Sequence, residues 1–81
     1  MAVHSSIHVF VNNRKVTLLS NRITGSELIR LAGYSEPKHW NLYRLQSETD
    51  ETGGTMVTCD DTLHINDGDW FRLVEGHQSC V

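Results

Sequence analysis

The stretch that decides the fold is ITGSELIRLAG, residues 23–33, because it predicts the helix on which the strands must pack. Thr24 is a favourable N-cap residue, and Glu27 three positions later completes a capping box. Ile23, just before the cap, can pack on the first full turn as a hydrophobic staple. Gly33 stands where a left-handed residue ends a helix. The sequence therefore marks both ends of this helix.

One face of the predicted helix is apolar. The stripe consists of residues three and four positions apart: Leu28, Leu31 and Ala32. A helix of about nine residues is too short to be stable alone in water. We therefore expect the stripe to be buried against a sheet.

Two strands joined by a tight turn precede the helix. Residues 6–11 alternate strictly, which predicts a strand with one buried face. Asn12 and Asn13 tolerate left-handed backbone and predict the turn. Residues 15–18 resume the alternation. The chain therefore opens with a β-hairpin, and residues 19–22 are expected to form a loop to the helix.

Three further strands are predicted after the helix. They are residues 41–46, a short edge strand at residues 55–58, and a last strand at residues 69–74. The acidic, glycine-ended residues 47–54 predict a mobile loop. A bulge in the first of these strands would shift its register. The sequence therefore leaves open which of three neighbours points outward: Tyr43, Arg44 or Leu45.

These elements predict an α+β roll in which a mixed sheet of four or five strands packs on one helix. The first and last strands are expected to be parallel neighbours in its centre. The predicted core is Ile7, Val9, Val11, Val16, Leu18, Ile23, Leu28, Leu31, Leu42, Phe71 and Leu73. The domain is expected to span residues 6–75, with a flexible N-terminus at residues 1–5 and a flexible C-terminal tail at residues 76–81.

Composition excludes several classes of function. A chain of 81 residues forms one domain and buries roughly 60% of its unfolded surface, which leaves no room for a deep substrate cavity. A net charge of −3 without a basic stripe argues against nucleic-acid binding. The longest apolar run is far below the ~20 residues of a membrane helix, and no signal peptide is apparent. We therefore expect no membrane partner and a cytoplasmic location.

The cysteines and histidines suggest no catalytic or metal site. Cys59 and Cys80 form neither a disulfide framework nor a C-x-x-C site, and no catalytic motif surrounds them. Cys59 is expected to be half-buried, and Cys80 to lie on the tail. The five histidines lack the spacing of metal ligands. We therefore expect no enzymatic activity, no metal and no cofactor.

Four segments carry a resemblance to a known family. They are IHVFVN at residues 7–12, ITGSELIRLAG, NLYRL at residues 41–45, and DGDWFRL at residues 67–73. Their order along the chain and their residue patterns resemble the ubiquitin-like β-grasp family, in particular bacterial multiubiquitin-type domains. The resemblance implies a ubiquitin-like β-grasp fold and a protein modifier joined to targets by an isopeptide bond. It also implies the partners: an ATP-using activating enzyme, a conjugating enzyme, a processing or deconjugating protease, and target proteins.

The resemblance implies a conjugation and processing site at Gly76. A modifier of this family is joined to its targets through its own C-terminal carboxylate. Gly76 follows Glu75 directly behind the last strand, and the missing Cβ leaves the glycine carbonyl open to attack. Residues 77–81 would then be a precursor peptide that a protease removes. The alternative interpretation is that Gly76 merely ends the strand and the tail is solvated.

A second candidate site is a patch on the sheet face opposite the helix. Its predicted members are Phe10, Tyr43, Trp70, Arg72 and Val74, with His8 at its edge. Aromatic side chains and arginine are enriched at the centres of interfaces, and a contiguous exposed apolar cluster usually binds a partner. The alternatives are scattered exposed side chains, which are common, or burial under another segment or a second copy.

Two other functions fit the same fold. One is a sulfur carrier, because INDGDWFRLV at residues 65–74 resembles the ending of those carriers. The lone Gly76 and the residues after it count against this function, since the carriers end in Gly-Gly. The other is an interaction module that uses the sheet patch without covalent attachment.

Overall fold

The structure is a computed structural model that describes residues 6–47, 49, 53–78 and 80. Within these residues the chain forms a small α+β domain. Its elements, in chain order, are β1 (Ile7–Val11), β2 (Arg14–Leu18), β3 (Arg22–Thr24), α1 (Gly25–Leu31), a 3-10 turn (Pro37–His39), β4 (Trp40–Leu45), β5 (Thr55–Val57), β6 (Thr62–His64) and β7 (Trp70–Glu75). The predicted residues 1–5 and much of the predicted loop at residues 47–54 lie outside the described part.

The main sheet has five strands in the order β2-β1-β7-β4-β5. β1 and β7 are parallel and central, whereas the other pairs are antiparallel. This confirms the mixed sheet, its central parallel pair and the edge position of β5. The five predicted strands agree with the observed bounds to within one residue at each end.

A second, two-stranded sheet was not predicted. β3 and β6 pair antiparallel, with Ile23 opposite Leu63. The sequence predicts a loop at residues 19–22 and no strand at residues 62–64. Strands of three residues are too short to show a period of two, so their alternation carries no signal.

The opening hairpin turns at Asn12 and Asn13, which have φ values of 52° and 67°. Two consecutive positive φ values are those of a type I′ turn, as the two asparagines predict. The Asn12 side chain also connects the hairpin to the last strand. Its Oδ1 accepts from the backbone N–H of Leu73 at 2.8 Å, and its Nδ2 donates to the Leu73 carbonyl at 3.2 Å.

Both predicted caps of the helix are present. The Thr24 hydroxyl accepts from the Glu27 N–H at 3.2 Å, and the Glu27 carboxylate accepts from the Thr24 N–H at 3.2 Å. Hydrogen bonds from the Thr24 N–H and then from its hydroxyl hold the pKa of Glu27 below its ordinary value. At the other end Gly33 has a φ of 99°, and the N–H of Tyr34 donates to the Ile29 carbonyl at 3.2 Å, which is a Schellman ending.

The predicted apolar stripe of the helix is wrong in one position. Leu31 is 55% exposed, whereas Ile29, which was not in the predicted core, is fully buried. The buried face runs through Gly25, Leu28, Ile29 and Ala32. The helix is rotated because Gly25 lies against the chain before β6, where an added Cβ would come within 2.8 Å of the Thr58 carbonyl oxygen.

The rest of the predicted core is largely confirmed. Ile7 is half-buried and packs against the core. The buried residues among those predicted are Val9, Val11, Val16, Leu18, Ile23, Leu28, Leu42, Phe71 and Leu73. β5, β6 and their connections add Val57, Cys59, Leu63 and Ile65. The core therefore lies between α1 and one face of the main sheet, with the small sheet closing one side.

The rotation of the helix can be tested with two matched substitutions. Ile29→Ala removes a fully buried side chain and should lower the free energy of unfolding by about 2–5 kcal/mol. Leu31→Ala should change it by less than about 1 kcal/mol because that side chain is mostly exposed. Urea unfolding of the two variants measures the difference. Equal losses would contradict the observed orientation.

Candidate functional site

The five predicted patch residues lie on one face of the main sheet. In the register of the strands, Phe10 is opposite Trp70, and Tyr43 is opposite Arg72. Val74 follows Arg72 by two residues and therefore shares its face. The rings of Phe10 and Trp70 are stacked, with centroids 4.3 Å apart and planes 17° from parallel. The face opposite the helix thus carries a stacked aromatic pair at the junction of β1 and β7.

The outer part of this face is accessible. Val74 is 46% exposed, and Met56 on β5 is 36% exposed. Met56 lies opposite Tyr43, so it extends the patch toward the sheet edge. Sequence reasoning missed Met56 because the pairing of β5 with β4 fixes its position and the two strands are joined by a long loop. We call Phe10, Met56, Tyr43, Trp70, Arg72 and Val74 the sheet patch.

The structure resolves the orientation of the three neighbours on β4. Tyr43 points into the sheet patch, and Leu45 shares that face but is buried beside Gly54. Arg44 faces the core side, where its guanidinium lies 5.7 Å from the centroid of the Phe71 ring. It donates to Asp69 at 2.6 Å and to the His64 carbonyl at 2.9 Å. Arg44 therefore joins β4 to the turn before β7 and is not part of the patch.

His8 precedes Phe10 by two residues on β1 and therefore shares its face of the sheet. Its backbone N–H donates to the Asp67 carboxylate at 2.8 Å, and its Nδ1 lies 3.8 Å from the same oxygen. The Gly68 N–H donates to the His8 carbonyl at 2.6 Å. His8 thus fixes the turn that leads into β7, beside the aromatic pair.

Gly76 directly follows β7 and packs against β4. Its N–H donates to the His39 carbonyl at 3.0 Å. A Cβ added at Gly76 would lie 2.8 Å from Cγ of Asn41, a side chain that is 8% exposed. The Asn41 Oδ1 accepts from the Gln78 N–H at 2.8 Å, so Asn41 is not free to move aside. Lack of space therefore favours glycine here, independently of any role in conjugation.

The segment after Gly76 differs from the flexible tail that the sequence predicts. The N–H groups of Gly76 and Gln78 make the two hydrogen bonds described above. In addition, the His77 ring contacts the His39 ring, with centroids 5.3 Å apart. Cys80 forms a disulfide with Cys59, and their Cα atoms are 5.1 Å apart. Residues 76–78 and Cys80, which we call the segment after β7, thus attach to the domain. Residues 79 and 81 lie outside the described part.

The disulfide corrects the sequence-based view of the two cysteines. Cys59 is buried at 5% exposure, not half-buried, and both thiols are consumed in the bond. Spacing along the chain gave no sign of the pairing, because it depends on the tail folding back over β4. Closing a loop between residues 21 apart restricts the unfolded chain and stabilises the fold by roughly 3 kcal/mol.

The disulfide lies in the wall of an open cleft of about 490 Å³. The cleft is bounded by the helix, the chain before β6 and the 3-10 turn. Two basic and two acidic side chains surround it: Arg30, Lys38, Glu36 and Asp60. Their charges are balanced, so the cleft favours neither an anion nor a cation.

Comparison of the chain with family models, curated proteins and solved structures finds no match. Among the described residues, no helix has the length and hydrophobicity of a membrane span. In the same part of the chain, no group of three or more His, Cys, Asp or Glu side chains could hold a metal ion.

The packing of Gly76 on Asn41 predicts a coupling between the two positions. Gly76→Ala should lower the free energy of unfolding by about 1–3 kcal/mol, because the new methyl group overlaps the buried amide. In an Asn41→Ala background the same change should cost less, since the space is then open. Urea unfolding of the two single variants and the double variant gives the coupling. Equal costs of Gly76→Ala in both backgrounds would show that Asn41 does not restrict this position.

Proposed function

We propose that this chain is a ubiquitin-like protein modifier with a β-grasp fold. The observation that carries the proposal is the central parallel pair of β1 and β7, with β7 running directly into Gly76. The strand order β2-β1-β7-β4-β5 around one helix is the arrangement expected of a β-grasp domain. The helix segment ITGSELIRLAG, which resembles multiubiquitin-type domains, supports the same assignment.

In this proposal the chemistry takes place at the carboxylate of Gly76. A protease first cleaves the bond between Gly76 and His77. An activating enzyme then couples the new carboxylate to AMP, releasing pyrophosphate from ATP, and a thiol displaces AMP to form a thioester. A target amine attacks the thioester carbonyl, forms an amide bond and releases the thiol. The domain contributes a stable body and an unbranched acyl group that a narrow enzyme channel can admit.

The sheet patch is the proposed docking surface for the enzymes of this pathway. Its stacked Phe10 and Trp70 rings give a rigid apolar surface that loses little conformational entropy on binding. Arg72 adds a charged group beside Tyr43. Aromatic residues and arginine dominate the binding energy of many interfaces. The cytoplasmic location remains part of the proposal, since ATP-dependent activation requires it.

A second candidate function is a non-covalent ubiquitin-like interaction module. Three observations favour it: the hydrogen bond from the Gly76 N–H, the packing of Gly76 on Asn41, and the disulfide that attaches the following segment. All three give the segment after β7 a structural role. In this case the sheet patch is the functional surface and Gly76 is never joined to another protein.

Conjugation has a direct chemical signature in this chain. Trypsin cleaves after Arg72, so a conjugated lysine should carry the remnant Leu-Val-Glu-Gly, residues 73–76. We expect mass spectrometry of denatured, reduced adducts from the native host to find this branched peptide. A Glu75→Ala variant is the matched control, because it should conjugate normally and shift the remnant to Leu-Val-Ala-Gly. Chains recovered solely in full-length, unattached form would refute the modifier function.

Trp70 should be needed for conjugation although it lies at the opposite end of β7 from Gly76. Trp70→Ala removes one ring of the stacked pair and should lower the yield of adducts by about tenfold or more. Leu19→Ala is the matched control, because Leu19 is an apolar side chain that is 87% exposed and lies outside the patch. Thermal unfolding checks that both variants fold. Equal yields from the two variants would exclude the patch as the enzyme-docking surface.

A further inference from the structure

We propose that the Cys59–Cys80 disulfide is a thiol–disulfide exchange site for a dithiol reductant, and that its reduction releases the segment after β7. The exchange itself does not depend on the modifier function. Its consequence, that Gly76 becomes available for processing in a reducing compartment, rests on that proposed function.

The two sulfurs differ in how firmly they are held. Cys59 is 5% exposed, and its backbone carbonyl accepts from the Ser26 N–H at 3.1 Å at the start of the helix. Gly25 packs on the Cα of Cys59, where an added Cβ would lie at 3.1 Å. Cys80 is half-buried and belongs to the segment after β7. Reduction would therefore leave Cys59 in place and free Cys80.

The cleft gives a reductant access to the bond. Both cysteines line its wall, and its volume of about 490 Å³ is large enough for a small dithiol or the exposed thiol of a redox protein. A thiolate must approach one sulfur from outside to exchange with it. Because Cys80 is the more exposed partner, its Sγ is the atom we expect to be attacked.

The exchange proceeds in two displacements. A thiolate of the reductant attacks Cys80 Sγ, the Cys59–Cys80 bond breaks, and the Cys59 thiolate leaves and takes up a proton. The mixed disulfide joins the first sulfur of the reductant to Cys80 Sγ. The second thiolate of the reductant then attacks that first sulfur. The Cys80 thiolate leaves and is protonated, while the dithiol is oxidised to a cyclic disulfide. Two electrons and two protons pass to the protein.

Without the disulfide, the described residues of the segment keep only non-covalent contacts. These include the hydrogen bonds of the Gly76 and Gln78 N–H groups, the contact of the His77 and His39 rings, and the packing of Gly76 on Asn41 and of Cys80 against the core. His77 and Gln78 are exposed, so water competes for these contacts. Ordering each residue of the segment costs conformational entropy, which the covalent bond offsets by tying its far end to the domain. Loss of the bond should therefore let this segment detach while the rest of the fold remains.

The bond also governs the outcome of cleavage. If the chain is cut after Gly76 while Cys80 is still bonded to Cys59, residues 77–81 stay attached through the disulfide. The mass of the protein then rises by one water. If the disulfide is reduced first, the segment is lost. A cytosolic redox environment keeps most protein thiols reduced, whereas secreted proteins keep their disulfides. The same chain would thus present a free or a retained segment according to its compartment.

Amide hydrogen exchange on the full chain tests the release. We expect dithiothreitol to raise the exchange rates of the Gly76 and Gln78 amides by about tenfold or more, with the Phe10 amide in the central strand pair unchanged. Cys80→Ser without reductant should reproduce the fast exchange. The inference is overturned if these two amides exchange equally in all three samples, or if the disulfide is reduced only when the Phe10 amide also becomes exposed.

A mass measurement separates this inference from the proposed function. Protein from the native host is alkylated during lysis to preserve its thiol state. Fast exchange in the reduced protein without any chain cleaved after Gly76 would support the exchange site and count against the modifier. Cleaved chains together with unchanged amide exchange would support the modifier and overturn the exchange site.

Discussion

The parallel pairing of the first and last strands is the constraint on which the rest of the domain depends. The Phe10 N–H donates to the Asp69 carbonyl at 2.9 Å, and the Asn12 N–H donates to the Phe71 carbonyl at 3.1 Å. β7 pairs with β1 on one side and with β4 on the other. Without it the sheet would divide into a hairpin and a separate β4–β5 pair. The pairing with β1 brings Phe10 beside Trp70, and the pairing with β4 places Gly76 beside that strand.

Much of this architecture is written in local sequence. Strict alternation predicts β1 and β7, the two asparagines predict the tight turn, and Thr24 with Glu27 predicts the start of the helix. The orientation of the helix was harder to predict from the sequence, because Gly25 lies on the buried face but adds nothing to the apolar pattern. Gly25 can lie against the Thr58 carbonyl because it lacks a Cβ, and this contact buries Ile29 in place of Leu31.

The candidate sites were also only partly predictable from the sequence. Phe10 and Trp70 could be placed together because a parallel pair puts matching residues on one face. The position of Met56 could not be predicted, because the register of β5 on β4 is set after a long loop. The contacts of the tail were equally hidden. The Cys59–Cys80 bond and the packing of Gly76 on Asn41 arise from a segment without periodicity that folds back on the sheet. Sequence patterns report regular elements, and these contacts involve none.

The edges of the main sheet affect how readily two copies of the domain associate through their strands. β5 is three residues long, and β2 begins with the exposed cations Arg14 and Lys15. Short edges and edge charges oppose the strand-to-strand association by which sheets of different molecules join into aggregates. Both edges of the main sheet therefore disfavour edge-to-edge strand pairing between copies of this domain.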